Sequence, residues 1–326
     1  MNTTPFSTRH VTSTTTSDRD QPWIDVTVRA PAVGERALVL GGGGGTGNAW
    51  VIGVIAGLFE AGLDVTGADL VIGTSSGSTA AAQVTSATPT ELFAAALAAA
   101  PQPPARTVAP DAGRGPTASA TNHMERTSRI ISAAEDPADM RRRLGAAALE
   151  IAAASDGSVQ TRWRATVAAR LPSGQWPERR LLITAVDAQT GAPVVFDRDS
   201  RVDLVDAVAA SCSSGPAYGI GDRRFIDGGY RRSSENADLA AGYARVLVLS
   251  PLGGRSRAPL DWGMHLAAQV DELRAGGSRV ETVFPDGDAG HLFGANAMNP
   301  SLRTPAARAG HDQGRALAQR LTEFWG

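Results

Sequence analysis

Short apolar runs that end at glycine alternate with helical repeats in the first third of the chain. Residues 37–40 are apolar and lead into five glycines, as expected for a strand buried on both faces. From Asn48 the apolar residues recur at helical spacing until Gly62. Leu70–Ile72 predicts a second strand, and an Ala-rich helix to about Ser86 follows it. This alternation of strand, turn and helix predicts a parallel α/β unit.

The segment from about 88 to 178 differs in composition. Ala-rich helices are predicted at 91–100, 137–154 and 161–171. They flank a Pro/Gly/Ala stretch at 101–120, which has little to bury and predicts a loop. We expect an inserted helical cap here rather than an independent second domain, because strands resume directly afterwards.

The remaining apolar runs complete the predicted organisation. Strands are predicted at 181–186, 194–196, 224–226, 245–249 and 279–284, and helices at 205–211, near 262–274 and at about 305–325. Residues 1–35, rich in Thr and Ser, predict a disordered tail. The predicted division is a tail (1–35) and one domain (36–326), comprising a motif core (about 37–250), the cap (about 88–178) and C-terminal strand and helices (251–326).

Composition excludes several classes of protein. The 326 residues carry 31 Lys+Arg, all of them Arg, against 33 Asp+Glu, and this near-neutral charge argues against a nucleic-acid binder. The single cysteine, Cys212, excludes an internal disulfide and favours a reducing, cytoplasmic compartment. The longest nearly apolar stretch, 92–100, is shorter than the roughly 18–20 residues that a membrane span needs, and no signal peptide is predicted.

A serine between two glycines stands where the second predicted strand turns into a helix. In Gly73-x-Ser75-x-Gly77, such a tight turn would project the serine hydroxyl beside the positive end of that helix. Glycine is required on both sides because side chains there would collide with the neighbouring strand and helix. A plain Gly/Ser loop is the alternative interpretation.

The glycine loop after the first strand contains a G-x-G-x-x-G pattern, formed by Gly42, Gly44 and Gly47. It is consistent with a tight turn or with a cradle for dinucleotide phosphates. A cradle needs an acidic residue at the end of the next strand, where 73–75 stand instead. A P-loop is excluded because the chain has no lysine.

A third interpretation of this loop is an oxyanion hole formed by the backbone amides of Gly43, Gly44 and Gly45. One such donor can lower a reaction barrier by roughly 2.7–4 kcal/mol. Glycine also lets a substrate carbonyl approach without a Cβ in the way. Adjacent ends of two parallel strands would bring this loop beside Ser75.

A serine nucleophile needs a base. Asp227 follows an apolar strand end and precedes Gly228-Gly229, so its carboxylate would lie at the edge of the sheet; an ordinary Asp-Gly turn is the alternative. None of the five histidines stands in a distinctive local context: His10, His123, His265, His291 and His311.

Several segments, in this order, resemble the patatin-like phospholipase family. They are the run 38–47, the Gly73–Gly77 motif, the 184–196 segment with Asp187, and the 209–216 stretch leading into Asp227-Gly228-Gly229, with Asn236 following. The resemblance covers about 37 to 250. It implies a three-layer α/β/α sandwich with a mainly parallel sheet, which hydrolyses acyl esters of lipids.

The resemblance also implies roles for individual residues. Ser75 would be the nucleophile and Asp227 the base of a catalytic dyad, with the amides of 43–45 as the oxyanion hole. No metal or other cofactor is implied. Thr46 stands where the family usually carries Arg or Lys. The residues implied to support the motifs are Gly42, Thr46, Gly47, Gly73, Gly77, Gly228 and Gly229.

Two other functions stay open at this point. One is an α/β-hydrolase esterase that uses Ser75 and Asp227 with His291 or His311. The other is a non-catalytic lipid- or nucleotide-binding relative. The expected partner is an acyl-ester or phospholipid substrate. The sequence leaves open the head group, the acyl length, transient contact with a membrane surface and the oligomeric state.

Overall fold

A computed structural model describes residues 34–98 and 116–326. Most of the predicted tail lies outside these ranges, but Gly34 and Glu35 already belong to the first strand. Residues 101–115 of the predicted loop lie outside the described ranges. Residues 116–120, which were also predicted as loop, begin a helix that the composition did not indicate. Both corrections extend regular structure into segments with weak apolar periodicity.

Strands and helices alternate along the described chain. The strands are β1 (Gly34–Leu40), β2 (Leu70–Gly73), β3 (Arg180–Asp187), β4 (Pro193–Phe196), β5 (Tyr218–Ile220), β6 (Arg223–Asp227), β7 (Tyr243–Leu249) and β8 (Arg279–Val283). The helices are α1 (Gly44–Glu60), α2 (Ser76–Val84), α3 (Pro89–Ala98), α4 (Pro116–Ser132), α5 (Pro137–Ala153), α6 (Ser158–Ala168), α7 (Leu204–Ser211), α8 (Leu266–Ala275) and α9 (Arg303–Trp325).

The described strands form one eight-stranded sheet. Its order is β5-β6-β3-β2-β1-β7-β8, with β4 pairing beside β3. The five strands from β3 to β8 along this path are mutually parallel, whereas β4, β5 and β6 pair in the antiparallel sense. The prediction of a mainly parallel α/β sheet is therefore confirmed.

Helices cover both faces of the sheet. In β1, Leu38 and Leu40 join the core cluster that includes α1, α2 and α9, while Ala37 and Val39 join the cluster that includes α8. Alternate residues of a strand point to opposite faces, so an unbroken apolar run is what a doubly covered strand requires.

The first and last helices pack unusually closely. A Cβ atom on Gly53 would overlap the Ala307 carbonyl, and one on Gly57 would overlap the carbonyl of His311. Both contacts advance by four residues along each helix, so α1 and α9 run in the same direction. Their N-terminal ends therefore lie side by side, next to the glycine loop.

The helices between 88 and 178 pack at three different places. Helix α3 contacts α1 and α9, and α6 contacts α7. Helices α4 and α5 contact each other and supply Ile131 and Leu144 to a third cluster with Ile226 of β6. The division into motif core and cap stays a prediction. Among the helices of 34–98 and 116–326, none is long and apolar enough to cross a membrane.

Candidate active site

Strand pairing places the serine turn beside the end of β6. Strand β4 pairs with residues 183–186 of β3, and some of these residues also pair with β2 and others with β6. Because a strand has only two edges, β2 and β6 both lie along the edge of β3 that faces away from β4. Gly73 pairs with Ile183 and Asp227 with Ala185, two residues further along β3. Such a separation is roughly 6.6 Å, so Ser75 and Asp227 meet at the ends of their strands.

Ser75 lies in a strained turn between β2 and α2. Its φ of 53° is in the region that non-glycine residues rarely adopt, and α2 begins at the next residue. A Cβ on Gly73 would lie 2.5 Å from the Ser78 Cα, and one on Gly77 would overlap the Leu40 carbonyl. As predicted, close contacts with the helix and the neighbouring strand leave no room for a side chain at either glycine.

The Gly77→Ala variant is expected to be less stable than the wild type by at least about 1–3 kcal/mol, because its methyl group must displace the backbone at the end of β1. Gly290→Ala is the matched control, since a Cβ there meets nothing within 4 Å. Denaturant midpoints and slopes measure both variants. Equal midpoints for the two would contradict the packing described for this turn.

The serine hydroxyl and the aspartate are directly hydrogen-bonded. Ser75 Oγ donates to Asp227 Oδ2 at 2.8 Å, and the backbone N–H of Gly229 donates to Oδ1 at 2.8 Å. Only 8% of Asp227 is exposed. Burial raises the pKa of Asp227 to about 6, although the Gly229 N–H, the Ser75 hydroxyl and the Arg257 charge all act to lower it.

Residues of the 209–216 stretch hold both partners in place. The Ser75 N–H donates to Ser211 Oγ at 2.9 Å, and the Asp227 N–H donates to the Ser213 carbonyl at 3.0 Å. Ser211 and Ser213 therefore fix the backbones on which the serine and aspartate side chains stand. Sequence reasoning noticed this stretch only through the resemblance, because no local pattern reports a contact across 136 residues.

A buried polar network lies behind the aspartate turn. The Asn236 Nδ2 group donates to the Gly228 carbonyl at 2.9 Å, to Thr74 Oγ1 at 3.0 Å and to Thr184 Oγ1 at 3.3 Å. A Cβ on Gly228 would overlap the Thr184 carbonyl. This network links β2, β3 and the turn after β6, and it explains the position of Asn236 after the Asp-Gly-Gly motif.

The glycine loop lies against the serine turn. A Cβ on Gly42 would lie 3.1 Å from the Ser75 Cβ, and the Gly43 N–H donates to Ser76 Oγ at 2.8 Å. The N–H groups of Gly44 and Gly45, in the first turn of α1, have no hydrogen-bond partner in the described part of the chain. Helix α1 thus starts at Gly44 and not near Asn48 as predicted, and two of the three expected donor amides are free.

Thr46 is enclosed within this first turn. It is fully buried, and its N–H donates to the Ala297 carbonyl at 3.1 Å. Its Oγ1 has no hydrogen-bond partner among the residues described. The loop is therefore anchored here by a backbone contact from the segment that precedes α9. Gly47 closes the turn by donating its N–H to the Gly43 carbonyl at 3.0 Å.

The histidines with described side chains form no hydrogen bond with either member of this pair. His311 Nε2 lies 2.8 Å from Glu60 Oε2, at the far end of α1, and His291 Nδ1 lies 2.9 Å from the Asp288 carbonyl. His123 and His265 have no hydrogen bond with Ser75 or Asp227 in the described chain. His10 lies outside the described residues.

The chain can be compared with curated protein sequences, with solved structures and with models of protein families. A search of curated protein sequences found no match. Among solved structures, the type III effector protein ExoU is similar at 17% identity and a TM-score of 0.41 over 89% of this chain and 54% of that one. VipD from Legionella pneumophila is similar at 12% identity and a TM-score of 0.39, over 89% of this chain and 67% of the VipD chain. The chain thus spans about half the length of the ExoU chain.

The family comparison is more direct. The sequence model of the patatin-like phospholipases matches residues 38–241, well over half of the chain. The matched segment begins in β1 and ends before β7, so it includes the glycine loop, the serine turn and the aspartate turn. The family membership that the motifs suggested is therefore confirmed: the chain belongs to the patatin-like phospholipase family.

Proposed function

We propose that this protein is a serine acyl-ester hydrolase that acts on lipids through Ser75 and Asp227. The observation that carries the proposal is the 2.8 Å hydrogen bond from Ser75 Oγ to the buried carboxylate of Asp227. A nucleophile and base at this separation can exchange a proton directly. The raised pKa of Asp227 makes it a stronger base than an exposed aspartate.

The proposed reaction proceeds in two balanced steps. Ser75 Oγ attacks the ester carbonyl carbon while its proton passes to Asp227 Oδ2, and the leaving alcohol then takes that proton as the C–O bond breaks. In the second step Asp227 removes a proton from water, which attacks the acyl-serine. Breakdown of this second tetrahedral intermediate returns the proton to Ser75 and releases the carboxylic acid.

The first turn of α1 is the proposed oxyanion hole. The free N–H groups of Gly44 and Gly45 are fixed donors at a helix N-terminus, where the helix dipole also favours negative charge. The Gly43 N–H joins them when the substrate oxygen replaces the Ser76 hydroxyl as its acceptor. The fixed donors need no reorientation as charge develops on the substrate.

A panel of esters tests the proposal. Wild-type protein is incubated with p-nitrophenyl esters, triacylglycerols and phospholipids of matched acyl chains, and the released fatty acid is quantified. At least one of these classes should be hydrolysed with the same products as chemical saponification. Absence of fatty-acid release from every class would favour the non-catalytic alternative.

His291→Ala and His311→Ala are expected to keep the wild-type kcat/KM within about twofold, because His311 lies beside Glu60 and His291 beside the Asp288 backbone. Neither ring is hydrogen-bonded to the Ser75–Asp227 pair in the described chain. Initial rates on the best ester of the panel measure the effect. A loss of several hundredfold in either variant would identify that histidine as the base and support a triad.

A further inference from the structure

Glu235 is a fully buried carboxylate that the proposed reaction does not use. Three serine hydroxyls bind it: Ser234 and Ser250 donate to Oε1 at 2.6 and 2.7 Å, and Ser233 donates to Oε2 at 2.7 Å. Within the described part of the chain it forms no ion pair with an arginine or a histidine. A carboxylate buried without a cation depends on such donors, because each one offsets part of its lost hydration.

Two of these serines are themselves held in place. Ser233 Oγ accepts from Gln269 Nε2 at 2.9 Å and from the N–H of Glu235 at 3.1 Å, so its own proton is left for the carboxylate. Ser250 Oγ accepts from the N–H of Gly254 at 2.9 Å. The carboxylate is therefore bound to fixed points of the chain.

One side of the glycine loop lies directly on this cluster. The Ser234 carbonyl accepts from the Gly42 N–H at 2.8 Å, and a Cβ on Gly41 would lie 3.4 Å from the Glu235 Cγ. A Cβ on Gly42 would also lie 3.1 Å from the Ser75 Cβ. The residues that contact the serine turn are therefore supported from behind by Glu235 and its neighbour.

The other side of the loop lies against Pro251, the residue after Ser250. The Pro251 Cβ is 2.6 Å from the position that a Cβ on Gly43 would occupy and 3.1 Å from that of a Cβ on Gly47. The Ser250 hydroxyl donates to the same Glu235 oxygen that binds the serine on the first side. One carboxylate oxygen thus joins the two chain segments between which the glycine loop lies.

We propose that Glu235 is a positioning residue, which holds the glycine loop against Ser75 so that the amides of 43–45 meet the substrate oxygen. This inference rests on the proposed function and adds a residue to its oxyanion hole. Oxyanion donors are effective only when they are fixed where charge develops, so a loop released from its supports would stabilise the transition state less well.

Hydrogen exchange of the unliganded protein tests the inference without requiring turnover. Ser234→Ala removes a hydroxyl whose only hydrogen bond in the described chain is to Glu235, and Ser250→Ala cuts the link to the other side of the loop. In both variants the Gly42 amide should exchange at least about tenfold faster than in the wild type, because its acceptor is held less firmly. Ser132→Ala, which removes an exposed hydroxyl of α4, is the matched control and should exchange like the wild type.

Kinetics on the best ester of the panel measure the effect on the reaction. Ser234→Ala and Ser250→Ala are each expected to lower kcat about tenfold or more and to leave KM within about twofold, because the loop amides act on charge that develops only in the transition state. Glu235→Ala should lower kcat at least as much. Adding Ser234→Ala to it should cause no further loss, since that hydroxyl acts through the carboxylate. The serine variants decide the matter should Glu235→Ala fail to fold.

Three results would overturn the inference. One is wild-type exchange at Gly42 in both serine variants. Another is faster exchange with unchanged kcat, which would make Glu235 a structural support only. The third is additive loss in the double variant, which would mean that Ser234 acts independently of Glu235. A wild type that hydrolyses no ester, with Gly42 exchange still dependent on the serines, would reject the proposed function while supporting the anchoring of the loop.

Discussion

The Ser75→Ala variant is expected to lose about 10⁴-fold or more in kcat for ester hydrolysis, because the acyl-enzyme can no longer form. The remaining glycine-loop donors can still bind the carbonyl oxygen, so a small residual rate over water is compatible with this expectation. Fatty-acid release from the best substrate, measured over hours, quantifies the loss.

The controls for this serine separate chemistry from folding. Ser86→Ala removes a hydroxyl that donates to the Ala82 carbonyl near the other end of α2, and it should retain full activity. The Ser75→Ala protein should still unfold in one cooperative transition at a denaturant concentration close to that of the wild type, because only one hydroxyl and its hydrogen bond to Asp227 are lost. Activity within tenfold of wild type in Ser75→Ala would assign the nucleophile to another residue.

The Asp227→Asn variant is expected to lose about 10³–10⁴-fold in kcat while keeping the geometry of the site. An amide has nearly the same shape as a carboxylate, and its oxygen can still accept from the Gly229 N–H. It cannot accept the serine proton at neutral pH. A variant with near-wild-type rates would show that Asp227 orients the serine turn without acting as the base.

The pH dependence of the wild type follows from the same carboxylate. Its pKa is raised from 3.8 to about 6, so kcat/KM should rise as pH increases through about 6 and the base becomes ionised. The folded state binds this proton more tightly than the unfolded state does. The contribution of the protonated Asp227 carboxyl to the free energy of unfolding is therefore fully present below pH 3.8 and is lost as pH rises through about 6.

Stability measurements therefore provide an independent test of the buried charge. Asp227→Asn has no such charge, so its stability relative to the wild type should increase between pH 4 and pH 8, by roughly 1–3 kcal/mol. Urea unfolding of both proteins at a series of pH values measures the difference. If the curves of stability against pH were parallel for the two proteins, burial would not disfavour the ionised form of Asp227, contrary to this prediction.

The positions of Ser75 and Asp227 could be predicted because their backbone requirements are local. Ser75 needs a tight turn with glycine on both sides, and Asp227 needs a strand end followed by small residues. Each requirement concerns no more than five consecutive residues. Parallel pairing of β1 with β2 brings the glycine loop beside the serine turn, as predicted. Asp227 reaches the same place on β6, which runs antiparallel to β3 and ends toward β2.

The contacts that complete the site could not be predicted in the same way. Glycine is a poor helix former, so no local pattern indicates that α1 begins at Gly44. The Ala297 carbonyl that receives the Thr46 N–H comes from 251 residues away, and backbone acceptors carry no side-chain signal.

Covalent labelling with a fluorophosphonate tests most directly that Ser75 is a nucleophile activated by Asp227. The wild-type protein is treated at pH 8, digested, and mapped by mass spectrometry. A single adduct is predicted on the peptide that contains Ser75, absent from Ser75→Ala and formed at least about a hundredfold more slowly in Asp227→Asn. An adduct on another residue, equal labelling of Ser75→Ala, or no adduct on the wild type would contradict the account.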